Sequence, residues 1–185
     1  MHTLAVIVGS LRAGSINRKF ARALELLGKD RFVFDYIELG DVPMYNDDLW
    51  ASPPAPVLRL KADIARADAV LFVTPEYNRG VPPLVINAIS WASRPFGKNA
   101  WAGKPASVIG ASNGVIGTAA AQAQLRSVVV TLGMVLMGQP EIYFHSKPGL
   151  IEDDGRITDE KTQAFLEGYL KKFDAWIEQA LYLPP

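Results

Sequence analysis

Gly9-Ser-Leu-Arg-Ala-Gly-Ser-Ile-Asn-Arg-Lys19 gathers two serines, two glycines and three cations into eleven residues. The chemistry such a segment suits is anion binding. Ser15 stands where a helix N-cap belongs, ahead of Ile16, Phe20, Leu24 and Leu27 at helical spacing. The first turn of that helix should carry acids, because the helix dipole leaves positive charge there. It carries Asn17, Arg18 and Lys19 instead, with Arg12 in the loop just before. Each cation at such a position costs roughly a few tenths of a kcal/mol unless an anion lies among them. A Ser-rich, Gly-punctuated turn between strand and helix holds phosphate through backbone N–H groups and the helix end. Taken alone, the segment fits a solvated basic turn equally well.

Two more segments carry candidate chemistry. In Pro75-Glu-Tyr-Asn-Arg-Gly-Val-Pro-Pro83, Tyr77 offers a flat face and Asn78 can both donate to and accept from a heterocycle. In Ala111-Ser-Asn-Gly-Val-Ile-Gly117, the glycines let a ligand approach the backbone closely. Gly110-Ala-Ser-Asn-Gly114 also fits the nucleophile elbow of a serine hydrolase, with Ser112 as nucleophile. A hydrolase would need an acid and then a histidine downstream, and only Glu141 and His145 offer themselves. No HGGG-type oxyanion segment accompanies them, and so short a pattern is common in Gly-rich loops.

The elements that must position these loops alternate along the chain. Apolar runs predict strands at Leu4–Val8, Arg31–Leu39, Ala69–Thr74 and Ala106–Gly110. A fifth begins at Gly133–Met137 and continues irregularly to Phe144. Helices are expected from Ile16, over Leu58–Ala67, Pro82–Trp91 and Thr118–Leu132, and at the C-terminus. That last helix takes Thr158 as N-cap, has Asp159 and Glu160 in its first turn, and sets Phe165, Tyr169, Phe173, Trp176 and Ile177 on one face. Strands separated by helices imply a parallel sheet covered on both faces. Five strands fit the flavodoxin-like doubly wound α/β order 2-1-3-4-5 in a single domain over 1–185. Ligands of such sheets bind beyond the carboxyl ends of the strands, where the loops at Gly9–Ser15, Pro75–Pro83 and Ala111–Gly117 would converge. That convergence favours the phosphate interpretation of the first loop.

Composition narrows the classes. The 185 residues carry formal net charge zero, so total charge suggests no nucleic-acid or membrane partner. Charge is unevenly spread: residues 1–31 hold six Lys/Arg against two acids, and 71–140 hold five against one. Cysteine is absent, which excludes disulfides, thiolate catalysis and Cys-ligated metal. Two histidines are too few for a transition-metal cluster. No signal-peptide pattern or apolar run of about 18 residues occurs, so a cytoplasmic protein is expected. Asp47-Asp48 and Glu152-Asp-Asp-Gly155 are expected to be solvated turns, the latter lacking calcium-loop spacing.

Together these residues resemble the NADPH-dependent FMN reductase family, and within it the quinone- and chromate-reductase branch. The likeness runs over nearly the whole chain. It rests on Gly9–Asn17, on Pro75-Glu-Tyr-Asn78 with Pro82, Asn87-Ala88 and Trp91, and more weakly on Leu125-Arg126. The resemblance implies FMN as cofactor, with its phosphate at Ser10, Leu11, Arg12, Gly14, Ser15, Ile16 and Asn17. It implies the ring and ribityl against Pro75, Glu76, Tyr77 and Asn78, closed on the other side by Ala111, Ser112 and Gly114. NADPH or NADH would donate hydride to the flavin, and a small-molecule acceptor would receive it: a quinone, an azo compound, chromate or free flavin. No side chain is assigned as nucleophile or obligatory acid/base, and no metal is required. Homodimers or homotetramers are expected, with Arg126 either a subunit contact or an exposed helical arginine. An electron-carrying flavodoxin shares the fold, but such proteins are usually acidic and lack Pro75–Asn78. The chain departs from the family where Lys and Asp often stand four apart, having Ile86 and Ser90. It also has Pro83 and Thr118 where glycine is common.

Overall fold

The structure is a computed structural model and describes residues 1–182. Seven of its segments need naming first: β1 (His2–Val8), α1 (Ile16–Gly28), β2 (Phe32–Tyr36), α2 (Ala55–Arg66), β3 (Ala69–Val73), α3 (Pro83–Ala92) and β4 (Pro105–Ser112). α4 (Ala119–Thr131), β5 (Val135–Leu136), β6 (Ile142–His145) and α5 (Glu160–Leu181) follow, and a short 3-10 helix over Asp47–Ala51 lies between β2 and α2. The sheet runs β2-β1-β3-β4-β5, with β6 also paired to β4, and every pairing is parallel. The expected order is therefore observed.

Alternation along each strand divides the core in two. Leu4, Val6 and Leu71 face α1 and α5, packing with Phe20, Leu24 and Phe173. Ala5, Ile7, Val70 and Phe72 face α2, α3 and α4, packing with Leu60, Trp91 and Leu125. All of these are fully buried. Each large side chain among them contributes about 1.5–3 kcal/mol by leaving water. The two layers hold the carboxyl ends of β1, β3 and β4 side by side. Among the described residues no helix is long and apolar enough to cross a membrane.

Five expectations need correction. The fifth strand is two short strands laid end to end along β4, β5 beside Pro105–Ala106 and β6 beside Ile109–Ser112. Pro140 falls in the break, where it has no N–H to give a ladder. Arg126 fills that break. Its guanidinium donates to the Val108 and Met137 carbonyls at 3.1 and 3.2 Å, and its Nε lies 3.4 Å from Glu141. Its side chain is only 12% exposed, so it is an internal staple rather than a solvated helical arginine. α2 begins at Ala55, three residues early, because Pro56 in a first turn lacks only an N–H that would have no helical partner anyway. The N-cap of α5 is Asp159, one residue after Thr158, and accepts the Thr162 N–H at 2.7 Å. Phe165 falls on the outer face of that helix and stays half exposed.

Candidate functional site

The first loop forms as its residue types dictate. Ser15 has extended backbone and its Oγ accepts the Arg18 N–H at 3.2 Å, starting α1 with no acid in the first turn. Ser10 is buried, and its Oγ lies 3.4 Å from the Arg12 N–H. Leu11, Arg12 and Gly14 are exposed. The three cations do not share one fate. Arg18 is exposed but lies over the Tyr36 ring, 5.9 Å from its centroid. Lys19 pairs with Asp153 at 2.9 Å. Arg12 has no ion-pair partner among the described residues, and its guanidinium hangs beside Gly14. That leaves one uncommitted cation at the helix start.

Asn17 is almost wholly buried, and its side chain has a different partner from the one expected. Its Nδ2 donates to the Ala111 carbonyl and its Oδ1 accepts the Ala111 N–H, both at 2.9 Å. The carboxamide thus ties α1 to the end of β4, and what it offers an anion is its backbone N–H. Nothing in the sequence distinguishes this brace from a phosphate ligand, since asparagine suits both.

The second loop packs on the first. Gly9 is the only residue that fits there, because a Cβ would stand 2.8 Å from Pro75 Cδ and 2.9 Å from Val85 Cγ2. Beyond Pro75, Tyr77 and Gly80 exchange backbone hydrogen bonds of 3.1 and 2.9 Å around Asn78 and Arg79. Both central residues have positive φ, +52° and +63°, the signature of a type I′ turn. Asn accepts this conformation readily; Arg does so at some cost. Gln124 of α4 holds the turn by donating to the Arg79 carbonyl at 2.9 Å. The Tyr77 ring stands half exposed at the tip.

The third loop starts with Ser112, whose Oγ donates to the Gly114 carbonyl at 3.0 Å and accepts its N–H at 3.2 Å. Ser112 sits opposite His145 in the β4–β6 register, yet no hydrogen bond joins their side chains. The hydroxyl is spent on its own turn, which removes the support for a serine nucleophile. Gly110 lets the loop fold back: a Cβ there would meet Thr118 Oγ1 and the Thr74 carbonyl at 2.2 Å. Thr118 itself has φ +70°, a left-handed backbone that glycine adopts without cost and threonine does not. Buried Gln122 offsets part of that cost, donating to Thr118 Oγ1 at 3.0 Å and to the Ile142 carbonyl at 2.8 Å. At the other departure, Ser90 Oγ donates back to the Ile86 carbonyl at 2.8 Å, so these two positions still interact.

A cleft of about 630 Å³ adjoins this edge. It is lined by Gly14, Ser15, Arg18 and Asn113 with Ser146 and Lys147, and it lies on the α1 side of the first loop. The Pro75–Asn78 segment does not line it. Among the described residues no three His, Asp or Glu side chains are grouped to hold a metal.

Residues 2–149 match the family model described as NADPH-dependent FMN reductase. The chain belongs to the NADPH-dependent FMN reductase family. Among its relatives, a 2-hydroxy-1,4-benzoquinone reductase of a Burkholderia species is 44% identical over 174 residues, covering 94% of this chain and 95% of that one. A quinone reductase of Pseudomonas putida is 45% identical over 179 residues, covering 96% of each. The solved structure of FerB, a flavoenzyme NAD(P)H:(acceptor) oxidoreductase from Paracoccus denitrificans, superimposes with a TM-score of 0.95 at 50% identity. That match covers 97% of this chain and 99% of FerB. This member of the reductase family is accordingly a flavodoxin-like, FMN-dependent NAD(P)H oxidoreductase, and an enzyme rather than a carrier.

Proposed function

We propose that the protein reduces quinones with electrons from NADH or NADPH, in a site formed by Ser10–Asn17, Pro75–Asn78 and Ala111–Gly114. The carrying observation is the set of three braced loops at one sheet edge, with the Arg12 guanidinium uncommitted at an acid-free helix start. The residues present fit FMN. The Ser10 and Ser15 hydroxyls and the N–H groups of Ile16 and Asn17 are of the kind that hold a dianionic phosphate, with Arg12 supplying charge. Pro75 to Asn78 and Ala111 to Gly114 would flank the ring system. FMN, when bound, supplies the hydride-accepting and hydride-donating chemistry. The chain positions it: Asn17 fixes the phosphate loop against β4, and the Tyr77–Gly80 turn presents an aromatic face beside the ring site.

The relatives named as quinone reductases support the choice of acceptor. We further take the chain to be a single FMN-binding domain of a cytoplasmic homodimer or homotetramer. Exposed Ile86, Phe96, Val115 and Val130 on and beside α3 and α4 support an assembled state. The purified protein should be yellow, or take up FMN, and oxidise NAD(P)H in the presence of a benzoquinone. A colourless protein that refuses FMN would overturn the proposal. A monomeric mass by light scattering at micromolar concentration would overturn the assembly.

A further inference from the structure

Helices that follow parallel strands point their N-termini at the ligand edge of the sheet. α1, α3 and α4 all do so, and their ends are treated differently. α1 starts with a capping serine and cations. α3 starts with two prolines and no acid. α4 has no acid in its own first turn, and its N-cap Thr118 makes no side-chain cap.

A distant residue caps α4 instead. Glu76 Oε2 accepts the Ala121 N–H at 3.1 Å, from 45 positions upstream. Its Oε1 lies 3.4 Å from the Arg79 guanidinium, and its side chain is only 12% exposed. Glu76 is the single acid between residues 71 and 140. It belongs to the second loop but aims its charge at the start of α4, between that helix end and Arg79 of its own loop. With Gln124 on the Arg79 carbonyl, it clamps the strained turn to the helix.

We propose that Glu76 is a positioning residue that sets the reduction potential of the bound flavin by neutralising the positive end of α4. This rests on the three-loop FMN site proposed above. An uncompensated helix end beside the ring site would favour the more electron-rich, reduced form. The Glu76 carboxylate cancels that field and keeps the potential low, suited to passing electrons onward.

Glu76→Gln keeps an oxygen for the Ala121 N–H and removes only the charge. Gln124→Ala removes the other tether and changes no charge. FMN affinity and the two-electron midpoint potential should be measured for the wild-type holoprotein and both variants. Glu76→Gln should bind FMN within about threefold of wild type and favour reduced over oxidised flavin about tenfold more, a rise of roughly 30 mV. Gln124→Ala should leave the potential in place. Equal potentials in wild type and Glu76→Gln would overturn the proposal while sparing the FMN site. Equal rises in both variants would assign Glu76 a purely mechanical role and overturn it as well. A wild-type protein that binds no FMN would remove the site itself. Amide exchange in the FMN-free protein gives a cofactor-independent check, because Glu76→Ala should speed exchange at Ala121 at least tenfold. Unchanged exchange there would show that the cap does not exist in solution.

Discussion

The Asn17 carboxamide and the Ala111 backbone satisfy each other completely, through two hydrogen bonds of 2.9 Å across 94 residues of sequence. Asn17→Ala would orphan a buried N–H and a buried carbonyl, at a cost of about 2–3 kcal/mol. Asn17→Asp should cost more, because a carboxylate would then face the Ala111 carbonyl oxygen. Denaturant midpoints rank the three proteins, and an Asp variant as stable as wild type would contradict the brace.

Arg12 leads to the second prediction. Inorganic phosphate should stabilise the FMN-free protein by about 2.7 kcal/mol at a hundredfold excess over its dissociation constant. Arg12→Ala should lose most of that gain, since a hydrogen bond to a charged group is worth roughly 1.5–3 kcal/mol. Arg18→Ala should lose little, because that side chain is engaged with Tyr36. Thermal melts in phosphate and chloride at matched ionic strength decide the matter, and equal midpoints would mean the turn holds no anion.

The left-handed backbone of Thr118 sets up a third comparison. Thr118→Gly removes about 1–2 kcal/mol of backbone strain and loses one hydrogen bond from Gln122, so net stability should stay within about 1 kcal/mol. Thr118→Val keeps the strain and loses the bond, and should be destabilised by about 1–2 kcal/mol. A valine variant as stable as the glycine variant, in urea titrations, would refute this account.

Arg126 should be felt where β5 gives way to β6. Replacing it by Met strands the Val108 and Met137 carbonyls and unpairs Glu141, for about 2–3 kcal/mol. Amides of Ile142–His145 should exchange faster in that variant, while those of β1 keep their protection. Uniform loss of protection across the sheet would argue against a local staple.

Acid should loosen α5 from its start. Hydrogen bonds from the Thr162 hydroxyl and N–H hold the Asp159 carboxyl below its ordinary value. A group depressed in the folded state stabilises above its unfolded pKa, and the contribution fades as pH falls through the folded one. Asp159→Asn retains a capping oxygen without a titrating group. The stability difference between it and wild type should therefore shift against wild type on acidification below about pH 4. A difference that stays constant from pH 6 to 2.5 would dismiss the cap as the source.

Much of this was legible in the chain, and the failures share one cause. Strand order followed from apolar runs such as Leu4–Val8 and Ala69–Val73, whose periodicity is local and strong. The Gly9–Lys19 segment drew notice by breaking a local electrostatic rule, and the acid-free start of α1 is observed. What could not be seen were partnerships over long distances: Asn17 with Ala111, Glu76 with Ala121, Arg126 with two strand carbonyls. Each of these side chains suits a solvated or ligand-facing role just as well, and only the packed sheet commits it. Thr118 belongs with them, since nothing in a threonine between Gly117 and Ala119 announces a positive φ. The split of the fifth strand stayed obscure because Gly138–Glu141 interrupts two short apolar runs, Val135–Met137 and Ile142–Phe144, that pair along the same neighbour.

Those distant partnerships also bear on when the site comes into being. The glycine-serine turn leaves the ribosome long before Ala111, and its companion glutamate waits another 45 residues for the helix it caps. Ordering either contact means closing a large loop of chain, an entropic step that local helix formation does not provide. A nascent chain carrying every residue of the Gly9–Asn17 turn would thus still lack the brace that fixes it against β4. Competence to take up cofactor should arise with completion of the β4–α4 unit, in the same cooperative transition that seals the sheet. Cofactor uptake would then mark the completed fold and could not nucleate it.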